Sequence, residues 1–265
     1  MFVTKSSGKK TKFDRKRIIK TCMRSGLTME DSENVVSSVE NQIYDGIDTR
    51  KLLKIIISEI RKHDKHAASR YDLKGSIMRL GPAGFVFEKF ISRILQAEGY
   101  KTKTNQIIQG SCVTHEIDVV AEKQEISMIE CKYHNSPGIY TGVKDVLYTY
   151  ARFLDLKEGY SEGKCENFSN VWLASNTKFS RDVLTYATKK NIILLGWSYP
   201  IKNSLQELIE KHKLYPITIL RSVNQEAMKN LLDHNIVTVK DIIDKKPNIP
   251  NISKILKESI DLTGK

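Results

Sequence analysis

The hydrophobic period of this 265-residue chain changes near residue 100, and that change limits what it can fold into. Before it, the stretches RKRIIKTCMRSG, MEDSENVVSSVENQIYDG, TRKLLKIIISEIRKH, HAASRYDLKGSIMRL and FVFEKFISRILQAEG repeat apolar residues at helical spacing. Acidic residues open the second stretch, where they favour the helix dipole, and Gly26 and Gly46 are plausible stops. After the change, CVTHEIDVVAE and EISMIECKYH are short and rich in β-branched residues, with a polar turn at Glu122 to Gln124 between them. They read as neighbouring strands. A long helix is expected over residues 144–156. Beyond it NVWLASN and NIILLGW read as buried strands on either side of the helix SRDVLTYATKK. Strands alternating with helices predict an α/β layer with a central mixed sheet.

Other punctuation marks the ends. VTKSSGKKTKF reads as two short strands around a turn at Gly8, and Gly81-Pro82, followed by Gly84, is the candidate domain boundary. From Tyr215 the chain is expected to be helical with a break near His234-Asn235. The expected division is 1–80, a mostly helical domain with a β-hairpin; 83–212, the α/β domain; and 213–265, a small helical element. No tandem repeat or low-complexity tract is present.

Hydrophobic residues make up 40% of the chain, enough for folded cores, and no apolar run is long enough to cross a bilayer. The basic start MFVTKSSGKKTKFDRKR lacks the apolar core and cleavage site of an export signal, so a cytoplasmic, membrane-free protein is expected. Cys22, Cys112, Cys131 and Cys165 form no CxxC pair and read as reduced thiols. The 43 basic and 31 acidic residues leave a charge of +12, and residues 1–80 hold 18 basic against 10 acidic. Such a charge attracts polyanions such as nucleic acid, though it serves solubility equally well.

The chemistry sits in the second domain. Glu130 and Lys132, two apart on a strand, leave one face of the sheet, while Cys131 points to the other. Asp118 lies on the preceding strand, and adjacent strands run about 4.8 Å apart, so the right register brings two carboxylates to one cation. Mg²⁺ takes oxygen ligands, commonly one or two carboxylates with water and substrate phosphate. Asp118 and Glu130 supply such ligands, and the Cys131 carbonyl offers another. Glu88, on the helix before the sheet, is placed to hold a second cation or a metal-bound water. Lys132 is suited to hold the attacking water and the developing negative charge, with desolvation lowering its pKa. His115, Glu116 and His134 flank this set as neighbours or as participants.

GFVFEKFISRILQAEGY, HEIDVV and MIECKYH together resemble the Mrr-type branch of the PD-(D/E)XK restriction endonuclease superfamily over residues 83–200. The family pattern of helix Glu, strand Asp and E-x-K maps onto Glu88, Asp118, Glu130 and Lys132. It implies cleavage of DNA phosphodiesters with Mg²⁺ or Mn²⁺, the metal held by Asp118, Glu130, Cys131 and Glu88. Many relatives carry Gln and Lys on the helix after E-x-K; here Lys144, Tyr148 and Arg152 stand at helical spacing, either contacting phosphate or simply solvated.

VTKSSGKKTKFDRKRI, IYDGIDTRKL and AASRYDL, in that order, resemble the ATP-cone, a regulatory nucleotide-binding domain with a β-hairpin over a four-helix bundle. The resemblance implies ATP or dATP as ligand, with contacts at Val3 and Lys5, at Arg17 where Lys is usual, and at Thr49. Ser6 stands where Arg often follows the strand lysine. A domain that keeps this fold but binds DNA phosphate or another subunit is the other reading. TILRSVNQEAMKNLLDHNIVTVKDII resembles a degenerate helix-hairpin-helix half, with Asn235 where Gly often makes the turn, which leaves packing or dimerisation beside DNA contact. The resulting expectation is a homo-oligomeric, nucleotide-regulated, metal-dependent DNA endonuclease. The alternatives are a nucleotide-responsive DNA-binding or transcription-regulating protein with a silent nuclease fold, and an enzyme acting on RNA.

Overall fold

The computed structural model describes residues 1–5, 8–81 and 84–264. Ser6 and Ser7, before the expected Gly8 turn, and Pro82 of the expected boundary lie outside the described residues.

Strand β1 (Phe2–Thr4) pairs antiparallel with β2 (Lys10–Lys12), and Gly8 turns between them at φ +77°, where a side chain would be strained. Helix α1 (Arg15–Arg24) begins at Asp14, whose carboxylate accepts the Arg17 N–H; α2 (Met29–Glu40) begins at Thr28 in the same manner. A two-residue strand, β3 (Ile47–Asp48), lies parallel to β1 and leads into α3 (Thr49–His63), capped by Asp48. With α4 (Lys65–Tyr71) these elements enclose a core of Val3, Ile18, Cys22, Val35, Val36, Ile56, Ile60 and Ala67. The expected fourth helix is divided. Asp72 folds its carboxylate over Gly75, where a Cβ would lie 2.2 Å from its Oδ1, and a new helix, α5 (Leu73–Met78), starts there. Its Leu73 and Ile77 belong to the next core.

That core lies between helix α6 (Phe85–Ala97) and a five-stranded sheet. The strands are β4 (Lys101–Gln109), β5 (Thr114–Glu122) and β6 (Ile126–Lys132), then, after the short β7 (Tyr140–Thr141) and helix α7 (Val143–Ser161), β8 (Phe168–Ser175). Short β9 (Lys178–Phe179) pairs with β7; helix α8 (Arg181–Lys190) and the last sheet strand, β10 (Ile193–Leu195), follow. The sheet order is β10-β8-β6-β5-β4, antiparallel from β4 to β6 and parallel from β6 to β10. It is the mixed sheet expected. Helix α6 covers one face with Phe87, Phe90, Ile91 and Ile94, and α7 and α8 cover the other with Val146, Leu156 and Val183. Burial on both faces explains why β6 and β8 read as nearly continuous apolar runs.

The tail is helical: α9 (Leu205–His212), a 3₁₀ turn (Ile217–Ile219), α10 (Gln225–Asp233), α11 (Val239–Lys245) and α12 (Ile252–Thr263). Asn235 makes the expected break at φ +53°, and its side chain accepts from Lys89 Nζ of α6 at 2.6 Å. Arg93 of α6 forms an ion pair with Asp241, which is 1% exposed. Leu231, Ile236, Val239, Ile255 and Leu262 join the α6-side core, so these helices pack as part of the sheet's cover. No helix among the described residues is long and apolar enough to cross a membrane.

Asp155 of α7 ties down the turn between β4 and β5. Its carboxylate accepts the Cys112 N–H at 2.7 Å and sits 2.7 Å from His115 Nε2, and a Cβ on Gly110 would lie 2.0 Å from its Oδ2. The Cys112 N–H, joined by His115 and the Val113 N–H, holds this carboxyl down to about 2. Because the unfolded value is about 4, the carboxylate contributes stability fully above about pH 4, and that contribution disappears as pH falls through about 2. Asp155→Asn should therefore lower the melting temperature at neutral pH, with the gap to wild type closing on the acid side. Thermal melts across a pH series check this.

Candidate active site

The four residues of the expected motif arrive on three elements. The β5–β6 ladder ends at Val119↔Ile129, and the next positions along the two strands are Asp118 and Glu130. Instead of continuing the ladder, Asp118 Oδ2 accepts the Cys131 backbone N–H at 2.7 Å. On the other side, the β4–β5 ladder runs Thr104↔Val119 and Gln106↔Ile117 and omits Asn105 with Asp118; Asn105 has φ +52°. Ile117 and Val119, two apart on β5, pack into cores on opposite faces of the sheet. The pleat is therefore broken at Asp118, which turns its carboxylate into the gap between the strands.

Glu88, in the first turn of α6, accepts from Asn105 Nδ2 at 2.8 Å through Oε2. Glu130 points to the α7 side, where Arg152 grips it; the same guanidinium donates to the Glu116 carbonyl. Lys132 Nζ stands 3.2 Å from Asp145 Oδ1 in the first turn of α7. Its side chain is 44% exposed.

Burial dominates the electrostatics. It raises the carboxyl of Asp118, opposed by the Cys131 N–H, and raises that of Glu88, with the charge of Asp118 adding to it. Glu130 is pushed up to about 7, first by burial and then by Asp118, while Arg152 and Lys132 oppose. Three carboxyls thus repel one another's charge in a half-dry space. Their hard oxygens suit a divalent cation, which would relieve that repulsion. Among the described residues no group of three His, Cys, Asp or Glu side chains is gathered at metal-binding separation, and Glu130 and Glu88 turn instead to Arg152 and Asn105. The Cys131 side chain packs against the α6-side core, with burial raising its thiol well above the ordinary value, so Cys131 meets the site through its backbone.

Arg152 departs from the solvated reading: 7% exposed, it is turned inward onto Glu130 and the Glu116 carbonyl. Lys144 is exposed, and Tyr148, 60% exposed, lies against the Arg152 guanidinium, 5.3 Å from ring centroid to Cζ. Helical spacing put Arg152 on the right face, but its partner is 22 residues away, beyond any local pattern. Asp145 and Asn105 were not singled out by sequence, for the same reason. His115, near the start of β5, belongs to the Asp155 cluster, Glu116 takes part through its carbonyl, and His134 reaches Thr141 Oγ1 at 3.3 Å. Thr141, Ser175 and Thr177 form a buried hydroxyl cluster that holds the segment between Lys132 and α7.

In the N-terminal domain the β1–β3 pairing sets Val3 beside Ile47 and Thr4 beside Asp48, so the strand leading to Lys5 runs alongside the start of α3 at Thr49. Val3 is 6% exposed within the core, Lys5 and Arg17 are exposed, and Thr49 is half-buried. Strand β3, unread in the sequence, creates this juxtaposition.

The mixed sheet between α6 and α7, with carboxylates and a lysine at the splayed end of β5 and β6, defines the restriction-endonuclease-like class. Family profiles agree: an ATP cone domain matches residues 1–73, a restriction endonuclease domain residues 82–197, and the AF1548-like C-terminal domain residues 215–262. An uncharacterized protein of Archaeoglobus fulgidus is 46% identical over 154 residues, covering 58% of this chain and 83% of the relative. The crystal structure of the protein of unknown function AF1548 superposes with a TM-score of 0.60 at 39% identity, over 69% of this chain and all but 1% of that one, where the match covers 99%. The MspJI restriction endonuclease, solved with a 27-mer oligonucleotide, aligns at 11% identity and a TM-score of 0.39, over 73% of this chain and 40% of that one. The chain belongs to the AF1548-like family and carries an ATP cone domain ahead of its restriction endonuclease domain.

Removing Arg152 leaves a buried carboxyl and a strand carbonyl without their donor. Arg152→Met should destabilise the protein by roughly 3 kcal/mol. Chemical denaturation of wild type and variant measures this, and an unchanged midpoint would show that the bridge contributes nothing.

Proposed function

We propose that this chain is a divalent-metal-dependent DNA endonuclease whose activity responds to ATP or dATP bound by its N-terminal domain. The observation that carries the reading is that Glu88, Asp118 and Glu130, half-buried and close enough to raise one another's carboxyls, surround a break in the sheet near Lys132, although Glu88 and Glu130 turn to Asn105 and Arg152 and not to a common centre. Asp118 and Glu130 would hold Mg²⁺ or Mn²⁺, with Glu88 able to reach a second ion or its water and the Cys131 carbonyl near at hand. A bound metal would supply Lewis-acid stabilisation of the phosphate and a more acidic water. Lys132, positioned by Asp145, offers a cation to the scissile phosphate and to the charge that develops on it. Arg152 holds Glu130 in place until a metal competes for it.

The nucleotide half of the proposal rests on the ATP cone match and on the β1–β3 pairing, which brings the strand of Val3 and Lys5 alongside the start of α3 at Thr49; Arg17 joins this set by the resemblance. Cations and exposed helix N–H groups suit a triphosphate. The reading takes residues 1–80, 83–212 and 213–265 as working units of a cytoplasmic homo-oligomer, since severing two strands together takes two sites.

With supercoiled plasmid and Mg²⁺ or Mn²⁺, wild type should nick or linearise the DNA, and Asp118→Ala or Lys132→Ala should each reduce the rate by about 10² or more. ATP or dATP should change the wild-type rate, and Lys5→Ala with Arg17→Ala should remove that response while sparing cleavage. A gel time course reads both effects. A wild type inert on supercoiled, linear and single-stranded DNA, yet binding DNA in a nucleotide-dependent manner, would make the protein a regulator instead.

A further inference from the structure

The N-terminal domain and the C-terminal helices meet along α4 and α12. Arg70 of α4 donates to the Leu262 carbonyl at 3.1 Å and to the Ser25 carbonyl at 2.7 Å, and Arg24 reaches Glu210 at 3.4 Å. Beside the Arg70 bridge a cleft of about 510 Å³ opens between the two elements. Lys65 and His66 line it from α4, Lys254 and Lys257 from α12, and Arg221 from the turn before α10.

Three features give the cleft its chemistry. Lys65, Arg221, Lys254 and Lys257 are all exposed, and among the described residues none of these four cations is in a salt bridge. Two carboxylates, Glu258 and Asp261, also line the cleft; the oxygens of Glu258 are already engaged, accepting the Arg221 and Ser222 N–H groups at 2.9 and 3.0 Å. The wall has no aromatic or large apolar side chain, so it offers no surface on which a base could stack. Four cations outside any salt bridge, against two carboxylates, converge on a polar trough and fit a chain of phosphates recognised by charge and spacing, not by base identity.

We propose that this cleft, built jointly by α4 and α12, seats the sugar–phosphate backbone of nucleic acid away from the nuclease site. Lys254 and Lys257, three apart on one face of α12, and Lys65 opposite them each contact phosphate. Because the cleft straddles both modules, a backbone bound in it also favours their docked arrangement, and the docked arrangement favours binding in return.

The test is equilibrium binding of a fluorescein-labelled random-sequence duplex to the full chain in EDTA, followed by polarisation over a range of salt. The readout is binding in the absence of free divalent metal, so a chain that cuts nothing can still meet this prediction. Lys254→Gln with Lys257→Gln should weaken binding about tenfold near ~0.1 M salt and lower the salt slope by about two, as the loss of two phosphate contacts requires. Lys65→Gln should weaken it further. Lys254→Arg with Lys257→Arg should bind as wild type, which separates lost charge from lost folding, and Lys189→Gln with Lys190→Gln on α8 should leave affinity and slope unchanged. The inference is overturned if the α12 pair binds normally or if the α8 pair weakens binding equally. It is also overturned if inorganic tripolyphosphate binds wild type and loses affinity in the α12 variant while duplex binding stays the same, since the cleft would then serve a free polyphosphate.

Discussion

A buried guanidinium holds the site together. Arg152 projects from the middle of α7, bonds the Glu130 carboxylate on β6 and the Glu116 carbonyl on β5, and so ties one helix to both strands at the point where their ladder opens. With Asp118 turned onto the Cys131 N–H, the strands cannot close there by ordinary pairing. Arg152 supplies the missing connection. A charge in this position requires its partner, because either one alone would be buried and uncompensated. The carboxylates thus stay near one another although burial and mutual repulsion oppose their ionisation.

The same economy of contacts joins the modules. The core beneath α6 takes side chains from α5, from the sheet and from the C-terminal helices, so the tail completes one face of the restriction endonuclease domain. The N-terminal elements through α4 keep a core of their own and meet the C-terminal helices through polar contacts: Arg70 with Leu262 and Arg24 with Glu210. Polar junctions of this kind shift more readily than shared apolar cores, the physical requirement for a domain whose ligand is to influence another.

Much was legible in the sequence where side-chain pattern and burial coincide. Strands β5, β6, β8 and β10 showed as apolar or alternating runs because α6, α7 and α8 cover both faces of the sheet. Strand β4 was not read: KTKTNQIIQ lies at the sheet edge, with lysine, threonine and glutamine in alternation, and an edge strand is free to be polar. Two-residue β3 is too short to carry a pattern, yet it brings the hairpin to α3. The break at Asp72 was hidden inside helical periodicity, since it depends on a carboxylate folding over Gly75.

By itself the sequence determined the α/β alternation, the positions of Glu88, Asp118, Glu130 and Lys132, and the basic excess, because each is a local property of residue type and spacing. Only the tertiary structure decided what those residues touch. Arg152 reaches Glu130 across 22 residues, Asn105 reaches Glu88 across 17, and Lys65 faces Lys254 and Lys257 across a cleft. Such pairings are set by packing in three dimensions, where separation along the chain says nothing of distance in space.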